Sequence, residues 1–188
     1  MKLNNYFDFL KFLIGFNKPT NLYPITEINT TMYIGRWYQV YGAPTNVVFQ
    51  GFGKCITADY GILQNGNISV LNSQLNLKNN LEQISGYAYY KNISEPGKFT
   101  VHLDDVPVDA PYWIVKLGEI IDNQYQYSII TTPSGFSNWI LTRNITRFYE
   151  LYDKEVKEYL YTNAYNWVTI DQDNCIYSNL PDLEQIKY

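Results

Sequence analysis

A chain of 188 residues, 46% apolar and only 17% charged, has the length of one domain and too much apolar surface to stay disordered. Its 14 Lys and Arg against 18 Asp and Glu give a net charge of −4, and the cations are spread along the chain, which excludes a nucleic-acid backbone as partner. No run reaches the ~18 consecutive apolar residues of a membrane helix, leaving peripheral membrane contact open, and two Cys with one His fall short of the roughly four ligands of a structural zinc site.

In the first 20 residues, Met1 and Lys2 precede an apolar stretch that ends at Lys18-Pro19. Two readings are open. One is a signal peptide whose apolar middle is interrupted by Asp8 and Lys11; the other is a short amphipathic helix with Phe9, Phe12, Leu13 and Phe16 on one face. Residues 1–30 are therefore set apart from a folded domain over 31–180 and a tail over 181–188.

From about residue 35 the apolar pattern has period two. The runs 37–41, 55–63, 67–75, 83–90, 98–103, 112–117, 125–131 and 138–144 read as eight strands separated by turn signals. Asn65-Gly66 between two alternating runs marks a hairpin. The 19 Tyr, 4 Trp and 9 Phe favour half-buried pleated surfaces over plain helix faces. One helix follows the strands, with Phe148, Leu151, Tyr152, Val156, Tyr159 and Leu160 at helical spacing and Glu150/Lys154 and Asp153/Lys157 as i,i+4 pairs. The expected fold is all-β: an eight-stranded up-and-down antiparallel barrel, closed because closure removes exposed edges, with one C-terminal helix outside. Such a barrel encloses side chains or one small ligand.

The stretch Tyr33-Ile34-Gly35-Arg36-Trp37-Tyr38 resembles the opening strand of the lipocalins, whose first signature is Gly-x-Trp. The segments 55–60 and 65–72 resemble the second and third strands of the apolipoprotein D and bacterial branch of that family, and Asn138-Trp139-Ile140-Leu141-Thr142-Arg143 resembles its last signature. The middle signature is replaced by Lys116-Leu117-Gly118-Glu119, with residues 120–124 lengthening the turn. The resemblance implies that Gly35, Trp37 and Arg143 are structural, the guanidinium lying against the indole. It also implies a strand-to-tail disulfide between Cys55 and Cys175. By spacing alone, those two cysteines fit either one long-range bridge or two unpaired thiols. A bridge favours a secreted or oxidising location, free thiols the cytoplasm.

Alternation puts Ile56, Ala58 and Tyr60, then Ile68, Val70 and Asn72, then Phe99, Val101 and Leu103 toward the interior, with Cys55, Thr57, Asp59 and His102 outside. Trp139, Leu141 and Arg143 share one parity. The expected ligand site is Tyr60, Val70, Leu103, Tyr112 and Trp139 as apolar wall and Asn72 as polar contact, with Tyr60 and Asn72 as the interior polar residues; no cofactor or metal is expected. The implied ligand is a small hydrophobic molecule: a fatty acid, lysophospholipid, sterol or related lipid. Two rival readings are a lipid isomerase or de-epoxidase on the same barrel, which needs a reactive group inside, and a carbohydrate-binding module, which needs exposed aromatics. Asp104, Asp105 and Asp109, flanked by Pro107 and Pro111, read as an acidic loop; Gly51-Phe52-Gly53 lacks the third glycine and following helix of a phosphate loop. Asn29, Asn67, Asn92 and Asn144 sit in glycosylation sequons, of which chance supplies about two in so Asn-rich a chain.

Overall fold

The computed structural model describes residues 22–180; both readings of the first 20 residues, and the tail over 181–188, lie outside the described residues. Six strands pair in sequence order: β1 (Gly35–Gly42), β2 (Lys54–Ile62), β3 (Ile68–Leu75), β4 (Leu81–Tyr90), β5 (Lys98–Leu103) and β6 (Ala110–Leu117). A small hairpin, β7 (Ile120–Ile121) with β8 (Gln124–Tyr125), precedes β9 (Tyr127–Thr131) and β10 (Asn138–Thr142). β9 pairs with β6, and β10 closes the barrel on β1 through Tyr38↔Thr142 and Gly42↔Trp139. Closure satisfies the backbone groups that an open meander would expose. Where β2 leaves β1 after Tyr38, the short β11 (Val168–Thr169) takes its place opposite Tyr41 and Gly42.

The Asn65-Gly66 turn forms the β2–β3 hairpin, with Gly66 at φ +83°. The run expected over 125–131 is broken at Gln126, whose N–H donates to Glu119 O at 3.0 Å. The inserted residues 120–124 have folded into their own hairpin. Asp122 and Asn123 hold left-handed φ of 51° and 59° at its tip, a conformation that Asn and Asp tolerate through local hydrogen bonding.

The C-terminal helix also departs from a single α-helix. Asn144 caps Ile145–Arg147 by accepting the Arg147 N–H, then Phe148–Tyr152 is wound as a π-turn before the α-helix Asp153–Thr162. The wider turn leaves Leu151, expected on the apolar face, 63% exposed. The barrel-facing stripe is Phe148, Tyr152, Val156 and Leu160, all buried. Asp153 and Lys157 form the expected ion pair at 2.8 Å.

Two apolar cores result, one on each side of the same wall. The inner core joins Trp37, Val70, Phe99, Ile114, Ile130 and Leu141. The outer one packs Val40, Tyr41, Val115, Ile129 and Ile140 against the helix stripe. Register shifts in β1 between Gln39 and Tyr41 and in β6 between Ile114 and Lys116 show why both cores fill: a bulge breaks the period of two. In β1 it lets the consecutive residues Val40 and Tyr41 both face the helix. Cys55, at φ 54° where β2 shifts register against β3, is bonded to Cys175 with 5.5 Å between the Cα atoms. This settles the alternative of two free thiols. The Cys55 N–H also donates to Asp171 O at 2.8 Å, so the tail is fastened to the barrel by backbone and sulfur together.

Candidate functional site: the barrel cavity

The inner face encloses a cavity of about 580 Å³. Residues of period two build its wall: Ile56, Ala58 and Tyr60 from β2, Ile68, Val70 and Asn72 from β3, and Phe99, Val101 and Leu103 from β5. Tyr112, Trp139 and Leu141 complete the opposite side. Each of the six residues anticipated for the ligand site thus stands on this wall. The cavity reaches toward the loops that join β1 to β2, β5 to β6 and β9 to β10, where Gln50, Val106 and Thr132 line it. Val48, Phe52, Leu77 and Val108 on the loops of that end are more than 60% exposed.

At the other end, the helical turn Thr30–Tyr33 lies across the barrel. The Arg143 guanidinium stacks on the Trp37 ring with its carbon 3.7 Å from the centroid. It donates to the backbone oxygens of Arg36 (2.7 Å), Ile34 (2.7 Å) and Tyr33 (2.8 Å), and the Trp37 Nε1–H donates to Tyr33 O at 2.8 Å. Burial draws the Arg143 pKa down to about 10, so the group stays cationic at neutral pH. Gly35 sits at φ +103°, and a Cβ there would lie 3.1 Å from Arg143 Nη1. Both the backbone angle and the guanidinium therefore require glycine.

Three tyrosine hydroxyls meet above this plug. Tyr33 OH is 2.7 Å from Tyr112 OH and 3.0 Å from Ser128 Oγ, and Tyr112 OH is 3.2 Å from Tyr60 OH. Desolvation raises the Tyr33 pKa to about 12 and raises those of Tyr60 and Tyr112 as well, which keeps all three neutral and able to donate. Tyr60 was expected to face the interior, but Tyr33 was not assigned, because it precedes β1 on a helical turn where alternation carries no information. Its place four residues before Trp37 was the available signal: the two rings lie 5.1 Å apart. Gln39 and Gln50 were also missed. Gln50 donates to Gln39 Oε1 at 2.9 Å and accepts the Trp139 Nε1–H at 3.3 Å.

The lipocalin-like domain model matches residues 28–170. This chain belongs to the lipocalin family. It is similar to apolipoprotein D of Rattus norvegicus, 41% identical over 129 residues that cover 64% of each protein. The chain thus spans somewhat less than two thirds of that relative. It is also similar to the outer membrane lipoprotein Blc of Vibrio cholerae, 27% identical over 140 residues, covering 74% of this chain and 78% of that protein. The crystal structure of lobster apocrustacyanin A1 shares the fold with a TM-score of 0.62 at 18% identity, covering 87% of this chain and 96% of that one.

Within this lipocalin, the stretch that departs from the family's middle signature still supports the barrel. Gly118 lies close under Tyr127, where a Cβ would come within 2.5 Å of the ring. Glu119 accepts the Tyr152 hydroxyl at 2.7 Å and so ties this end of the barrel to the helix. His102 is on the outer face of β5, with Nδ1 2.8 Å from Asp109 Oδ1, and Asp109 also accepts the Tyr89 hydroxyl at 2.7 Å. Asp104 and Asp105 lie in the loop before it. Among the described residues no cluster of His, Cys, Asp and Glu is arranged to hold a metal.

Proposed function

We propose that this lipocalin binds and carries, or sequesters, one small hydrophobic molecule in the barrel cavity without transforming it. The observation that carries the reading is a cavity of about 580 Å³, open at one end, whose wall is largely aliphatic and aromatic. A ligand buried there gains about 25 cal/mol for each Å² of carbon surface removed from water, and a few fixed polar groups set its orientation. Tyr60, Val70, Leu103, Tyr112 and Trp139 supply the apolar contact in this reading, and Asn72 a polar one. The exposed apolar side chains on the loops at the mouth are suited to admitting such a molecule. Binding without chemistry is supported by the position of the His102–Asp109 pair outside the wall, and the interior over a sugar-binding face by Trp37, which is fully buried, and Trp139, which turns to the cavity. The Cys55–Cys175 bridge supports secretion or an oxidising lumen. The boundaries 31–180 are proposed as the folding unit.

Titration of the protein with a panel of lipids and an apolar fluorophore, read by tryptophan emission, tests the reading. Saturable quenching with one-to-one stoichiometry is expected, weakened by Trp139→Ala with the fold retained. No saturable change with any probe would refute carriage of an apolar ligand.

A further inference from the structure

The apolar wall accounts for a ligand's hydrocarbon, and the closed end of the cavity specifies its head. Four hydroxyls form a chain there, Ser128, Tyr33, Tyr112 and Tyr60, joined by three contacts of 3.0, 2.7 and 3.2 Å. Four hydroxyl hydrogens serve three bonds, so one remains for a partner beyond the chain. Ser128 is wholly buried and stands off the cavity wall, whereas Tyr60 is part of it. A spare hydrogen on Ser128 would be a donor sealed inside protein, which is disfavoured. The alternative direction, Ser128 donating to Tyr33, Tyr33 to Tyr112 and Tyr112 to Tyr60, leaves the Tyr60 O–H facing the cavity.

One cation stands near that point. Arg143, one stacked ring away, donates to the backbone oxygens of Met32, Tyr33, Ile34, Arg36 and Tyr125, and among the described residues no carboxylate pairs with it. Its charge acts on the hydroxyls, drawing Tyr33 and Tyr60 toward ionisation against the larger effect of burial. Asp59, behind Tyr60, is already held by Arg36 through two hydrogen bonds of 2.7 and 3.0 Å. The carboxylate that does line the cavity, Glu82, is at the opposite end and is hydrogen-bonded to Gln74 and Asn76.

We infer that the Tyr60 hydroxyl, the free end of this chain, is an anchor for an anionic oxygen, and that the ligand is a carboxylate-bearing amphiphile seated head-down, its hydrocarbon running past Trp139 to the mouth. The inference rests on the binding reading and narrows it to one ligand class and one orientation. A saturated fatty acid, its methyl ester and an apolar fluorophore, titrated calorimetrically into the full chain and into Tyr60→Phe and Tyr112→Phe, provide the test. The acid is expected to bind at least about tenfold tighter than the ester, as charge-assisted hydrogen bonds are the stronger kind. Tyr60→Phe, which removes the free donor, should bring the ratio of acid to ester affinity close to one, and Tyr112→Phe, which removes only the donor behind it, should lower that ratio less. Tyr33→Phe replaces any variant that circular dichroism shows to be unfolded. Equal binding of acid and ester, or a preference that survives the variants, would overturn the anchor and leave the carrier reading standing. Failure of all three ligands with the unmodified chain would overturn both.

Discussion

On β9 and β10, neighbouring residues lead opposite lives. Ile129 and Ile140 point outward and are sealed under Phe148, Val156 and Leu160; Ile130 and Leu141, one position on, point inward. All four are buried to 3% exposure or less, yet the outer pair meets a helix and Leu141 meets an open cavity. The outer core is packed to hold the fold, while the inner one leaves volume unfilled that its own side chains could have closed. A barrel can carry a binding space because the helix side compensates for the contacts the cavity side omits.

The widest test of that contrast is alkaline pH, because it asks whether the closed end of the inner core is as dry as the helix side. The fold holds Tyr33, Tyr60 and Tyr112 as neutral phenols with raised pKa values. Their contribution is intact below the ordinary tyrosine pKa near 10. Above it the unfolded chain ionises first, so stability falls as pH climbs toward the folded-state value of about 12 for Tyr33. For Tyr33 alone the loss approaches roughly 2–3 kcal/mol, and the three together are expected to unfold the barrel. Tyrosinate absorbance and circular dichroism followed in parallel should change together; full ionisation near pH 10 with the barrel intact would mean a wet closed end.

A smaller effect separates the two cores directly. Phe148→Ala should cost about 3–5 kcal/mol in urea unfolding and leave ligand affinity unchanged where the protein remains folded. Val70→Ala, on the cavity wall, should cost only about 1–2 kcal/mol and change affinity. Equal costs would erase the distinction between the cores.

How far the sequence reached follows the same line. Alternation needs only side-chain direction, so it located the eight strands, placed Ile56, Val70, Val101 and Trp139 on one surface, and turned His102 outward. It could not foresee the bulges in β1 and β6, because a bulge is one added residue whose only trace is a local break of parity. The π-turn is invisible for a similar reason: Phe148, Leu151 and Tyr152 fit an ordinary helix face, and only the exposure of Leu151 shows the extra residue. Tyr33 escaped because its role comes from the end of the barrel closing over it. Pairings across that end, such as Arg143 on Trp37, were implied by family resemblance and not by spacing.

The smallest predicted effect probes that plug. Trp37→Phe and Arg143→Met in a double-mutant cycle should show a coupling of about 1–2 kcal/mol, the worth of a desolvated cation over an indole. Additive costs would mean that the guanidinium is held by the backbone oxygens alone.

The reading of the unfilled volume inside the wall as the binding site has one decisive consequence: a side chain that fills it must abolish binding. Ala88→Phe projects a ring from β4 into the space that Ala88 lines. Native mass spectrometry and fluorophore titration of both proteins should show one ligand per chain for the unmodified protein and none for the filled one, with cooperative unfolding retained in both. Undiminished one-to-one binding by a folded Ala88→Phe protein would place the ligand outside the barrel.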